Sequence, residues 1–165
     1  MAIKRILLID DESVMTDSIQ DRLEDLRKNR KIGEYEAHSA HNFYKALDYL
    51  DKNPYDLLIT DLLMPTYGLP PELLAQRGVV LSGWVFLYHY VLKPEGEYYT
   101  KNSRAKCIIF SAYLDRLNKH WENIGFHLED YKDRLFLVDK GNIFDDSGGF
   151  NKLTDVIVEL LGGRL

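Results

Sequence analysis

Ile6-Leu7-Leu8-Ile9-Asp10-Asp11-Glu12 is the stretch on which the architecture turns. Four consecutive apolar residues that end in three acids read as a strand buried on both faces, not as one side of a half-exposed sheet. Just beyond it, Ser13 is placed to cap a helix whose apolar positions Met15, Ile19, Leu23 and Leu26 step at helical period. Tyr35 to His38 is a weaker strand-like stretch, and Phe43, Leu47 and Leu50 form a second helical stripe closed by Asn53-Pro54. The pattern of the first strand returns three times: Leu57 to Thr60 ending at Asp61, Cys107 to Phe110 ending at Ser111, and Leu135 to Val138 ending at Asp139-Lys140. A last helix carries Leu153, Val156, Ile157, Leu160 and Leu161, with Gly162-Gly163 to stop it. Strands alternating with helices predict an α/β, doubly wound parallel sheet of five strands with helices on both faces. Ligands of such sheets bind beyond the carboxyl ends of the strands. Those ends carry Asp10-Asp11, Asp61, Ser111 and Lys140.

Composition narrows the class. At 165 residues, with 45% hydrophobic and 28% charged side chains, the chain predicts one globular domain over 1–165. A single cysteine, Cys107, excludes a disulfide framework, and its place within an apolar strand makes it a buried apolar residue. The net charge of −5 argues against direct nucleic-acid binding, which draws on clustered Lys and Arg. The longest apolar stretch, Val79 to Leu92, is interrupted by Ser82, Gly83 and His89 and is too short for a membrane span. With no signal-type start, the expectation is a cytoplasmic protein without membrane contact. Pro65 to Lys106 is the irregular part: Val80, Trp84, Leu87 and Val91 keep helical spacing, while Gly96 to Ser103 reads as an exposed loop. Among the histidines only His38 and His41 lie close together, flanking a strand end, and no zinc site is expected.

Bringing Asp10, Asp11 and Asp61 to one sheet edge has a cost. Two carboxylates about 4 Å apart repel by roughly 4 kcal/mol at a surface-like dielectric, so the group calls for a cation or a raised pKa. Mg2+ suits it, since that ion takes one or two carboxylates, keeps several waters and binds a phosphoryl oxygen. Lys140 supplies a positive charge for a second phosphoryl oxygen and Ser111 a hydroxyl for a third, while the small Ala112 leaves room for a donor. Asp61, alone at its strand end, is the candidate nucleophile, because carboxylates form acyl-phosphates.

These segments together resemble the receiver domain of two-component response regulators. Ile6 to Glu12, then Leu58-Ile59-Thr60-Asp61-Leu62-Leu63-Met64-Pro65, then Ile109-Phe110-Ser111-Ala112, then Val138-Asp139-Lys140 follow the order and strand-end placement of that family. The resemblance implies the flavodoxin-like receiver fold with strand order 2-1-3-4-5. It implies that Asp61 accepts a phosphoryl group and that Asp11, Asp61 and the Leu63 carbonyl ligate magnesium, with Asp10 assisting through water. Ser111 takes the switch-hydroxyl position and Lys140 that of the family's lysine. The implied partners are a sensor histidine kinase or phosphotransfer protein and a downstream protein target, with the chain acting as a monomer or weak dimer. It implies no turnover enzyme, and with the chain ending at Leu165 no output domain is expected.

Three features depart from the family pattern. Gly141-Asn142 follows the lysine in place of a proline, and Leu137, beside Phe136, stands at the aromatic switch position. Asp61 and Ser111 are 50 positions apart, with the surplus near residues 66–76 and 95–104. Leu63 and Tyr113 occupy the positions that tune phosphoryl lifetime, and neither carries a carboxylate or amide to orient a hydrolytic water, so slow autodephosphorylation is expected.

Simpler readings stand beside these. Asp10-Asp11 can cap the first helix, Ser111 can satisfy a loop backbone, and Lys140 can be a solvated surface lysine. The departures favour a receiver-like interaction module that works without phosphorylation. A haloacid dehalogenase-type phosphohydrolase would need an aspartate two residues past its nucleophile, where this chain has Leu63 or Glu12.

Overall fold

The computed structural model describes residues 3–74, 80–93, 101–141 and 148–162. Its elements run β1 (Lys4–Ile9), α1 (Ser13–Lys28), β2 (Tyr35–Ala40), α2 (Phe43–Lys52), β3 (Leu57–Thr60), α3 (Ser82–Leu87), β4 (Lys106–Ser111), α4 (Leu114–Ile124), β5 (Leu135–Asp139) and α5 (Gly149–Leu161). The five strands form one sheet in the order β2-β1-β3-β4-β5, and every adjacent pair is parallel. That is the doubly wound order expected above.

Alternation along the strands sorts the core into two layers. Ile6, Leu8, Leu57, Ile59, Ile108, Phe110 and Val138 point to the face covered by α1 and α5, where Ile19, Leu23, Leu153 and Ile157 meet them. Leu7, Ile9, Leu58, Cys107 and Ile109 point to the face covered by α2, α3 and α4. A continuous apolar run is therefore what each central strand requires, since both of its faces are buried. Burial pushes the Cys107 thiol up to about 12, as fits an inert core residue.

Local rules account for most helix ends. The Asn42 side chain accepts the Lys45 N–H at 2.8 Å and starts α2, while Arg27 and Lys28 sit in the last turn of α1, where cations meet the negative end of the helix dipole. Ser13, expected as a cap, is the first helical residue instead. Glu12 occupies the capping position without a side-chain bond, and the Asp10 carboxylate accepts the Glu12 N–H at 3.0 Å.

The described part of the irregular segment is closely packed. Trp84, Phe86, Leu87, Tyr90 and Val91 are buried, and α3 continues as a π-helical turn over Tyr88–Leu92. Arg134 donates to the carbonyls of Val91 and Leu92 at 3.0 and 3.3 Å and closes that turn. The expectation of an exposed loop over Gly96 to Ser103 needs correction at Asn102, which is buried. Its amide accepts the Tyr55 N–H at 2.6 Å and donates to the carbonyls of Leu50 and Asn53, so it pins the turn between α2 and β3. Residues 96–100, Pro94, Asn142 and Gly163 lie outside the described residues.

Candidate functional site

Register brings the strand ends level. Ile9 pairs with Ala40 and with Thr60, so Asp10 and Asp61 emerge side by side, while Ser111 pairs with Asp139 and delivers Lys140 from the next strand over. Backbone bonds extend the ladders one step further: Asp61 N–H donates to the Ile9 carbonyl at 3.0 Å and Lys140 N–H to the Ser111 carbonyl at 3.2 Å.

The Lys140 ammonium lies between two carboxylates. It donates to Asp61 Oδ2 at 2.7 Å and to Asp10 Oδ2 at 3.0 Å. The other oxygen of Asp61 accepts the Leu62 N–H at 2.6 Å, which fixes the carboxylate plane. All three side chains are largely withdrawn from water. Burial pushes the Asp10 carboxyl above its ordinary range, against the pull of Lys140, with the Asp61 charge adding to the rise. Burial alone would lower the Lys140 ammonium, but its bonds to Asp61 and the charges of Asp61 and Asp10 outweigh that and raise it. Two buried carboxylates share one buried cation, and that imbalance attracts further positive charge.

The structure brings Asp10, Asp61 and Lys140 together. Ser111 stands at the same sheet end, fully buried, with its hydroxyl oxygen accepting the Tyr113 N–H at 3.4 Å. Asp11 is exposed on the neighbouring turn. Among the described residues no three carboxylate, thiol or imidazole groups gather closely enough to hold a metal by themselves. His38 bonds the Tyr55 hydroxyl at 2.7 Å, whereas His41 Nδ1–H donates to the Asp10 carbonyl at 3.0 Å, so the two histidines serve different ends of the sheet. Tyr113 is 42% exposed beneath the Arg116 guanidinium, 5.0 Å from its ring. On β5, Leu137 packs with the α2–α4 layer while Phe136 packs with the α1–α5 layer, so the neighbouring aromatic does not substitute for Leu137.

Three residues at the site were not singled out from the sequence as site residues. A side-chain carbon on Gly83 would overlap the Asp61 carbonyl oxygen, and one on Gly149 would overlap the carbonyls of Asp139 and Lys140. Both helices thus start in backbone contact with a strand end that carries site chemistry. Ser82, just before Gly83, is fully buried and bonds both the N–H and the carbonyl of Met64. A Ser-Gly pair ahead of an apolar helical stripe was the available clue.

Similarity to solved structures agrees with this fold. The response regulator TrrA from Thermotoga maritima, solved with Mg2+–BeF, matches at 24% identity over 96% of this chain and 100% of that chain, with a TM-score of 0.55. The fold is that of a response-regulator receiver. A structure of the CheA3 P1 domain in complex with CheY6 from R. sphaeroides matches at 21% identity over 97% and 98% of the two chains, TM-score 0.56. The signal receiver domain of a DNA-binding response regulator from Colwellia psychrerythraea matches at 19% identity over 95% and 97%, TM-score 0.57. No protein-family model and no curated protein sequence matches the chain. No helix among the described residues is long and apolar enough to cross a membrane.

Proposed function

We propose that this receiver fold accepts a phosphoryl group on Asp61 and signals by protein contact. The observation that carries the reading is the bridge from Lys140 to both Asp61 and Asp10, drawn from three separate strand ends. An Asp61 oxygen attacks phosphorus, a P–O bond forms, and the bond to the donor breaks, with the electron pair going to the departing group, which leaves as acetate or, on taking a proton from water, as imidazole. Catalysis of this kind is mostly positioning and charge neutralisation. Lys140, 2.7 Å from Asp61, is placed to follow the incoming oxygens, and Leu62 N–H holds the carboxylate in orientation.

The donor set fits magnesium. Of three successive carbonyls, Leu62 accepts from Gly83 N–H and Met64 from the Ser82 hydroxyl, whereas among the described residues Leu63 accepts no hydrogen bond. Asp10, Asp61 and that free carbonyl, all hard oxygen donors, would hold the ion, with Asp11 joining them by turning in from the neighbouring turn, where its carboxylate faces solvent. Bound there, magnesium supplies the charge that draws phosphoryl oxygens to the site. The donor is a sensor kinase or phosphotransfer protein, a role consistent with the CheA3–CheY6 complex among the similar structures. The product acts on a downstream protein target. Nucleic acid, a membrane and small-molecule turnover have no part in the reading. The protein acts as a monomer or weak dimer in the cytoplasm, and residues 66–76 and 95–104 are insertions within one domain spanning 1–165.

Incubation with acetyl phosphate and magnesium, read by intact mass, tests this. We expect a base- and hydroxylamine-labile phosphoryl gain in the wild type and none in Asp61→Asn. No gain in the wild type, or an equal gain in Asp61→Asn, would leave the phosphorylation-independent interaction module as the better reading. Leu63 and Tyr113 offer no group to orient an attacking water, so the label should decay slowly. A lifetime of seconds contradicts that part.

A further inference from the structure

Ser82 lies 18 residues beyond Met64, on the far side of the enlarged segment, yet it returns to the loop that carries the acceptor. Its hydroxyl accepts the Met64 N–H at 2.9 Å and donates to the Met64 carbonyl at 2.7 Å. The Gly83 N–H donates to the Leu62 carbonyl at 3.0 Å. Peptide planarity gives these bonds a consequence beyond simple anchoring. The Met64 N–H belongs to the same rigid trans unit as the Leu63 carbonyl and points the opposite way. Holding that N–H therefore aims the Leu63 carbonyl. The Leu62 carbonyl, pinned by Gly83, fixes the preceding peptide plane in the same manner, so both units that flank Leu63 are set from the start of α3.

We propose that Ser82 is a positioning residue that aims the Leu63 carbonyl and so sets the affinity of the acceptor site for a divalent cation. The inference rests on the proposed reading of that carbonyl as a magnesium donor. It explains how an acceptor loop interrupted by a long insertion keeps a defined geometry: the hydroxyl from the far end of the insertion replaces the short connection usual between a strand and its helix. Ser82 is completely buried, so the hydroxyl has no water to turn to, and among the described residues its partners are the N–H and carbonyl of Met64.

Titration with magnesium chloride alone, followed by calorimetry, tests it in five forms of the full chain. Ser82→Ala should bind magnesium at least about tenfold more weakly than the wild type, the range seen when a group that orients a metal ligand is lost. Ser82→Thr, which keeps the hydroxyl, should recover most of that loss. Asn102→Ala, which removes buried bonds at the opposite end of the sheet, should lose stability but keep magnesium affinity. A second readout guards against a poorly folded variant: the Met64 amide should exchange with solvent faster in Ser82→Ala than in the wild type, with no magnesium present. Magnesium affinity within twofold of wild type in Ser82→Ala, or an equal loss in Asn102→Ala, overturns the proposal. Asp61→Asn separates the two levels: if it binds magnesium as the wild type does, the ion does not sit at the Asp61 carboxylate, and the magnesium reading on which the role of Ser82 rests fails whatever Ser82→Ala does.

Discussion

The two ends of the sheet are tied by opposite means. At the carboxyl end, Asp10 and Lys140 are buried and Asp61 is largely so, two anions to one cation. At the amino end, the buried Asn102 amide holds Tyr55, Leu50 and Asn53 with neutral hydrogen bonds, and the charged pair Lys4–Asp56 stays at the half-exposed rim. Neutral buried bonds stabilise a fold at modest desolvation cost, whereas buried unbalanced charge costs stability and creates a demand for a ligand. The amino end is built to hold the chain together, and the carboxyl end is built to receive something.

Substitutions at the carboxyl end should therefore go either way, according to which charge is removed, whereas those at the amino end should only cost stability. Lys140→Ala leaves two buried carboxylates without their cation and should cost about 3 kcal/mol at neutral pH, read by chemical denaturation. A loss below about 1 kcal/mol would mean that water already screens the site. Asn102→Ala should cost about 2 kcal/mol in the same assay, since it orphans the buried Tyr55 N–H and two carbonyls, and should leave Asp61 labelling untouched. Asp10→Asn should go the other way, with a gain of about 1 kcal/mol at pH 7.

The sign for Asp10 follows from proton linkage. Burial raises the Asp10 carboxyl above its ordinary 3.8, so the folded chain binds that proton more tightly than the unfolded chain. Its favourable contribution is present below the ordinary value and is lost as pH rises through the raised one. The advantage of Asp10→Asn should accordingly shrink as pH falls and vanish near pH 3.8. A gain independent of pH would point to packing in place of charge. The smallest effect belongs to Lys4→Ala, where a half-exposed pair at 2.8 Å should be worth about 0.5 kcal/mol and fade with salt.

Much of the fold was legible before any coordinates. Continuous runs such as Ile6 to Ile9 can only be strands with two covered faces, and polar strand ends mark where a doubly wound sheet binds its ligand. Asp10, Asp61 and Lys140 followed from that placement. A helix not singled out from the sequence, α4, buries Leu117 and Trp121 at helical spacing, but its charged intervening residues hid the stripe. Asn102 looked exposed because composition marks a loop as polar without saying which polar group finds partners some 50 residues away.

Periodicity and strand-end chemistry are local properties, so the sequence by itself determined the layered parallel sheet and the acids, hydroxyl and ammonium at its rim. Only the tertiary structure decided that Lys140 spans Asp10 and Asp61 while Asp11 faces solvent, and that Ser82 and Gly83, some twenty residues on, return to hold the Asp61 loop. Those outcomes depend on the register between strands and on how closely two backbones approach, and both are set by packing between segments far apart in the chain.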